Sequence, residues 1–347
     1  MIGQYESRNY DLGPVGPKRT RLAHRFGSVP LRIPGKGSAR QRSHVHAEDY
    51  YKILESSQLA RLGNITQVFF DGSNPRDTRL SHSRDVAQVA EQIGRELGAD
   101  LDLLAAIALA HDCGHAPFGH VGEALVRRHI KGFHHAVWGA DVQLRSLDLS
   151  VEVTDGIRNH TWSRPRPTTM EGDIVSWADR IAYLTRDYQI GAEIGLLDTR
   201  SLPAAVGQRC GFELRNQREA FIEAAISGSK RAGIVAMDEG AAHALAEFRQ
   251  WSFYNLYRHR SVQSQSIFLA AALARAIRLM ELAAPSEAAD KQFMELNDLE
   301  VLSFIGRDAD SYGIHSFMRN DARGRKTSPK SPQSASSGGN ADQVKDA

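Results

Sequence analysis

Between Leu101 and Asp112 the chain reads LDLLAAIALAHD, a stretch that is apolar on nearly every side of a helix and ends in a His-Asp pair. A helix without a polar face has to lie among other elements, because no side of it can be left to water. The same helix carries His111 and Asp112 into that interior. An imidazole and a carboxylate buried side by side are costly unless hydrogen bonds or a charged group satisfy them. The segment therefore demands a surrounding shell and a partner for its polar end.

The flanking sequence supplies the shell. His82, Val86, Val89 and Ile93 recur at offsets of four, seven and eleven, one face of a helix. Gly98 ends that helix, and Asp100 can cap the next. Further helices are predicted at EALVRRHI, DIVSWADRIAYLTRDYQI, REAFIEAAI, GAAHALAEFRQWSFYNLYRH and SIFLAAALARAIRLMEL. Pro117 is well placed to start a helix after the His-Asp pair. TQVFF is the one short segment with strand character. The expected architecture is an all-α, single-domain helical bundle over residues 46–320.

The two ends differ from this middle. Residues 1–45 scatter Lys and Arg among Gly and Pro without an apolar period, the pattern of a flexible basic arm. Such an arm is either solvated or in contact with a neighbouring subunit or nucleic acid. Residues 321–347 are rich in Ser, Gly, Lys and Pro, cannot form a core, and are expected to be disordered. No apolar run approaches the roughly 18 residues of a membrane span, and the first residues lack a secretory signal's apolar centre. The two cysteines, Cys113 and Cys210, suggest no disulfide framework, so a cytoplasmic location is expected.

Chemistry concentrates in the first half. The chain has 14 histidines, several of them between His82 and His135. His82 lies on an inward helix face, and Asp179 sits in the apolar stretch IVSWADRIAY. Together with His111 and Asp112 they offer two imidazoles and two carboxylates from three inward faces. Either these groups satisfy one another as hydrogen-bonded core pairs, or they hold one divalent cation. A mixed N/O set with carboxylates favours Mn, Mg or Fe over Zn, and leaves positions for water and phosphate oxygen. His120 and Glu123, three apart, would share a helix face within hydrogen-bonding reach.

The order H…HD…D resembles that of the HD-domain phosphohydrolases, and the match extends beyond these four residues. TRLSHSRDVAQVA, ALAHDCGHAPFGHVGE and ADRIAYLTRDY look like the deoxyguanosinetriphosphate triphosphohydrolase branch, over roughly residues 47–195. The resemblance implies His82, His111, Asp112 and Asp179 as metal ligands. It implies His115, His120, Glu123 and His135 as catalytic groups, with His135 preferred to His134. It implies Arg79 and Arg180 as triphosphate-binding residues, with Arg258 and His259 as possible additions. Tyr183 and Asp187 would approach the deoxyribose, the Asp at the 3′-hydroxyl and the Tyr where a 2′-hydroxyl would sit. The implied activity is metal-dependent conversion of a deoxynucleoside triphosphate to deoxynucleoside and inorganic triphosphate, by a homo-oligomer. The competing expectations are another nucleotide phosphohydrolase, such as a deoxynucleoside monophosphate 5′-phosphatase, and a non-catalytic protein that binds nucleotides or single-stranded nucleic acid. RLGNITQVF carries Gly63 where many relatives have Gln, so that residue's contribution to sugar recognition is not carried over.

Overall fold

The computed structural model describes residues 39–70, 77–283 and 292–305. Most of the expected arm and all of the expected tail lie outside the described residues. The described part is all-α, as expected, and Thr66 and Thr78 form an isolated antiparallel bridge. TQVFF thus yields isolated bridge residues, Thr66 and Phe70, rather than a strand.

The apolar segment forms α4 (Leu101–Ala110), and seven of its ten residues are buried. Asp100 caps it, its Oδ1 accepting from the N–H groups of Asp102 and Leu103 at 3.2 Å each. Around α4 pack α1 (Ala39–Leu54), α3 (Arg79–Leu97), α7 (Val151–Asn159) and α8 (Met170–Glu193). α3 is held at both ends: Thr78 and Ser81 form a reciprocal capping box, and Gly98 closes the helix in the left-handed conformation at φ 69°. α7 approaches α4 through Gly156, where a Cβ would run into the side chain of Ile107.

Between α1 and α3 lies the short α2 (Ser57–Arg61). α5 (His120–Val126) and α6 (His135–Trp138) follow α4. α10 (Leu214–Ala232) and α11 (Glu239–Ser252) cover α8, with α10 also against α3, and α9 (Ala204–Cys210) packs on α10 and α11. α12 (Arg260–Ala283) packs on α5 and on α13 (Asp298–Ile305). The long helix expected over GAAHALAEFRQWSFYNLYRH is interrupted: after Ser252 it widens into a π turn over Phe253–Tyr257. No helix among the described residues is long and apolar enough to cross a membrane.

One expectation at the site is corrected. Pro117 does not start a helix; α5 begins at His120 behind Gly119. Phe118 and Gly119 both adopt φ of 57°, so the backbone turns sharply before the helix can form.

Candidate functional site

α3, α4 and α8 meet where the apolar helix ends, and each brings a polar group to that point. His82 Nε2 lies 3.1 Å from Asp179 Oδ1 and 3.9 Å from Asp112 Oδ2. His111 Nε2 lies 3.4 Å from Asp112 Oδ1 and 4.0 Å from Asp179 Oδ1. Ligands about 2.1 Å from one cation stand roughly 3 to 4.2 Å apart, so these separations suit a shared ion.

His111 provides the sharper test of fit. Its Nδ1 donates to the carbonyl of Ala108 at 2.7 Å, which leaves a lone pair on Nε2. That Nε2 is buried and has no hydrogen-bond partner. A metal ion would satisfy it, and the residues present fit one.

The electrostatics of the centre are strongly coupled. Burial works against the Asp112 carboxylate, but His111, Arg79 and His115 outweigh it and hold Asp112 well below the ordinary carboxylate range. Asp179 is likewise held low, the penalty of burial being overcome by the hydrogen bond and charge of His82. Burial pushes His111 down. His82 is raised, because Asp179 and Asp112 exceed the cost of its burial. Both carboxylates are therefore ionised at neutral pH, the form a cation needs.

A second cluster abuts the first. Glu123, buried on α5, accepts from His120 Nδ1 at 3.1 Å and from His135 Nδ1 at 3.0 Å through the same Oε2. Its Oε1 accepts from the N–H of His135 and from Arg127. His115 bridges the two groups. Its Nε2 is 3.2 Å from Asp112 Oδ1, too poorly aligned for a hydrogen bond, and its ring stacks on His135 with centroids 3.9 Å apart. The His120 side chain is 56% exposed, so this cluster opens to solvent at one edge. His134 instead caps α6 and is half-buried. The turn that joins these groups needs Gly114, because a Cβ there would collide with the His135 carbonyl and the Gly139 nitrogen.

The expected substrate contacts divide. Arg79 is buried and donates from Nη1 to Asp112 Oδ2 at 2.7 Å, so it stands at the centre itself. Arg180 lies over Trp162, its guanidinium carbon 3.7 Å from the ring centroid. Arg258 lies over Phe253 and His259 caps the start of α12. On α8, Tyr183 is half-buried against the core, while Asp187 is buried with Oδ2 accepting from Tyr257 at 2.6 Å. Its Oδ1 has no partner, and burial pushes the acid up to about 7.

Four contributors were not legible in the sequence motifs. His160 faces both His111 and His135 from the end of α7. Its offset of seven from Val153 and three from Ile157 places it on that helix's apolar face, a signal that could have found it. Tyr257 reaches Asp187 through the π turn, which no local pattern announces. Arg61 donates to the carbonyls of His115 at 2.8 Å and Leu296 at 2.9 Å. Asp298 accepts from the N–H of Phe118 at 2.6 Å and from both the N–H and hydroxyl of Thr66. These last two residues tie the turn after the His-Asp pair to segments more than fifty positions away.

Residues 79–184 match the HD domain family. The chain is 34% identical over 218 residues to a deoxyguanosinetriphosphate triphosphohydrolase-like protein of Caldanaerobacter subterraneus, a match covering 60% of this chain and 64% of that protein. It is 31% identical over 311 residues to a protein of the same description from Ralstonia pickettii, covering 68% and 80% respectively. The chain belongs to the deoxyguanosinetriphosphate triphosphohydrolase-like family of HD-domain proteins. It spans just under two thirds of the length of the Caldanaerobacter relative. A crystal structure of a hypothetical protein from Aquifex aeolicus shares the fold, with a TM-score of 0.50 and 21% identity over 78% of this chain and 71% of that one.

Proposed function

We propose that the protein is a metal-dependent deoxynucleoside triphosphate triphosphohydrolase, converting a dNTP such as dGTP and water to the deoxynucleoside and inorganic triphosphate. The observation that carries this reading is the convergence of His82, His111, Asp112 and Asp179 beside the Glu123 histidine cluster, with Arg79 held between them. His82, His111, Asp112 and Asp179 would hold one Mn, Mg or Fe ion, two carboxylates making Zn the poorer fit. When bound, the ion supplies positive charge that polarises a phosphoryl oxygen and water.

The chain's own groups do the rest. Glu123 accepts hydrogen bonds from the Nδ1–H groups of His120 and His135, which fixes both tautomers and favours proton uptake at the Nε2 atoms. Protonated His120, at the open edge, gives its proton to the departing 5′-oxygen as the oxygen of water bonds to the α-phosphorus and the bond to the 5′-oxygen breaks. Water's proton returns to the histidine cluster, where His115 and His135 complete the set. Arg79 and Arg180 neutralise the triphosphate. Asp187 Oδ1 accepts from the sugar 3′-hydroxyl, Oδ2 being held by Tyr257. Tyr183, one turn earlier, excludes a 2′-hydroxyl. A reducing cytoplasm, a homo-oligomeric state and contact of the basic arm with single-stranded nucleic acid belong to the same proposal.

Incubating the purified protein with each dNTP and with GTP, under Mg and under Mn, tests the reading. Inorganic triphosphate from dNTPs with Mn is the expected product. Release of orthophosphate alone would replace it with a nucleotide phosphatase, and GTP turnover equal to that of dGTP would remove the role of Tyr183. If His111→Ala with Asp112→Ala left all turnover intact, a non-catalytic binder would be the better description.

A further inference from the structure

Asp298 is fully buried at the start of α13, and its two carboxylate oxygens serve two different segments. Oδ1 accepts from the N–H of Phe118 at 2.6 Å. Oδ2 accepts from the N–H of Thr66 at 2.7 Å and from the Thr66 hydroxyl. Burying an ionised carboxylate is costly. An Asn of the same size would avoid that cost, but it has one acceptor oxygen and could serve only one of the two segments. The carboxylate holds both.

Each segment leads directly into a group of the proposed chemistry. Phe118 and Gly119 both stand at φ of 57°, and α5 begins at the next residue, His120. A left-handed Phe is unfavourable unless its surroundings fix it, and the bond from Asp298 falls on that residue. Thr66 pairs with Thr78, and the N–H of Arg79 donates to the carbonyl of Ile65 at 2.8 Å. The two segments also touch. A Cβ on Gly119 would come within 2.7 Å of Arg79 Nη2 and 3.2 Å of the Thr66 carbonyl oxygen. One carboxylate therefore fixes the first turn of α3, which carries Arg79, against the first turn of α5, which carries His120. Leu296 reinforces the tie, since Arg61 donates to its carbonyl at 2.9 Å and to that of His115 at 2.8 Å.

We propose that Asp298 is a positioning residue for proton transfer at His120. It holds the entry to α5 so that the His120 imidazole keeps Nδ1 on Glu123, 3.1 Å away, and presents Nε2 beside the phosphate bound by Arg79. The proposal rests on the role given to His120 in the triphosphohydrolase reading. Asp298 acts only through the backbone at Phe118 and through Thr66.

The test compares the full-length protein with Asp298→Asn in two measurements. The first reads the imidazole nitrogen chemical shifts of His120 by NMR, without metal at about pH 8, above the ordinary His range. His120→Gln assigns the signals. The wild type is expected to hold the Nδ1–H form alone, and Asp298→Asn a mixture of tautomers as the bond to Glu123 loosens. The second follows triphosphate release from dGTP with Mn. Asp298→Asn is expected to lower kcat about 10-fold with KM within about 2-fold. In the His120→Gln background the same substitution should cost less than about 2-fold, because the two residues act as a unit. An unchanged tautomer or an unchanged kcat in Asp298→Asn overturns the proposal, as does a kcat loss of equal size in both backgrounds. A shifted tautomer in a protein that releases no triphosphate from dGTP supports the placement of the imidazole by Asp298 and removes the triphosphohydrolase reading. If Asp298→Asn fails to fold, Thr66→Val, which removes one donor and keeps the volume, decides by the same readings with a kcat loss of about 3-fold.

Discussion

Arg79 Nη1 stands 2.7 Å from Asp112 Oδ2, and both side chains are about 96% shielded from solvent. Removing one member of such a pair leaves the other as an uncompensated buried charge, at a cost of about 3–5 kcal/mol. Arg79→Ala is therefore expected to destabilise the metal-free protein by about that amount in urea unfolding. Mn should recover part of the loss, because the cation supplies the charge that Asp112 lacks. An equal loss with and without Mn would show that the ion does not sit on Asp112.

His111 offers a direct measure of metal binding. An ion that binds only the folded chain stabilises it by about 2.7 kcal/mol at a hundredfold excess over its dissociation constant. Wild-type unfolding should shift upward with Mn by this order, and His111→Gln should show little shift. A variant that still responds as the wild type does would remove Nε2 of His111 from the ligand set.

Asp298 gives the stability a signed pH dependence. Burial raises its carboxyl from 3.8 to about 6, only partly offset by the groups of Thr66 and Phe118 that donate to it. A group raised on folding contributes stability that is present below its unfolded value and is lost as pH rises through the folded one. Between about pH 4.5 and about pH 7.5 the wild type should lose roughly 2 kcal/mol relative to Asp298→Asn, whose side chain does not titrate. Denaturant titrations of both proteins across this range check it; a constant difference would contradict the shift.

Gly114 tests how tightly the turn is built. Gly114→Ala drives a methyl into the backbone at His135 and Gly139, neither of which is a flexible side-chain end. A loss of about 3 kcal/mol is expected from overpacking, together with weaker Mn binding because the His-Asp pair and His135 move apart. Wild-type stability and Mn affinity in this variant would show that the turn can relax.

Glu123→Gln should lower kcat for dNTP hydrolysis by about 10- to 100-fold, the usual effect of losing a carboxylate that orients a histidine. KM should change little, since Glu123 faces His120 and His135 rather than substrate. A change confined to KM would point to a binding role instead.

Much of this molecule follows from local pattern. The all-round apolar α4, its Asp100 cap and the Gly98 stop are legible because periodicity and capping depend on neighbours a few residues apart. The four candidate ligands are legible for a related reason: each is a polar group on a helix face that is otherwise inward. The sequence by itself thus determined a helical bundle with polar groups turned into its centre. Only the tertiary structure decided which of those groups meet. Arg79 on Asp112, His160 against His135, Tyr257 on Asp187 and Asp298 beneath Phe118 are contacts between segments 25 to 180 residues apart. Such contacts depend on how helices cross and where a π turn or a left-handed pair redirects the chain, and these are settled by the packing of the whole core.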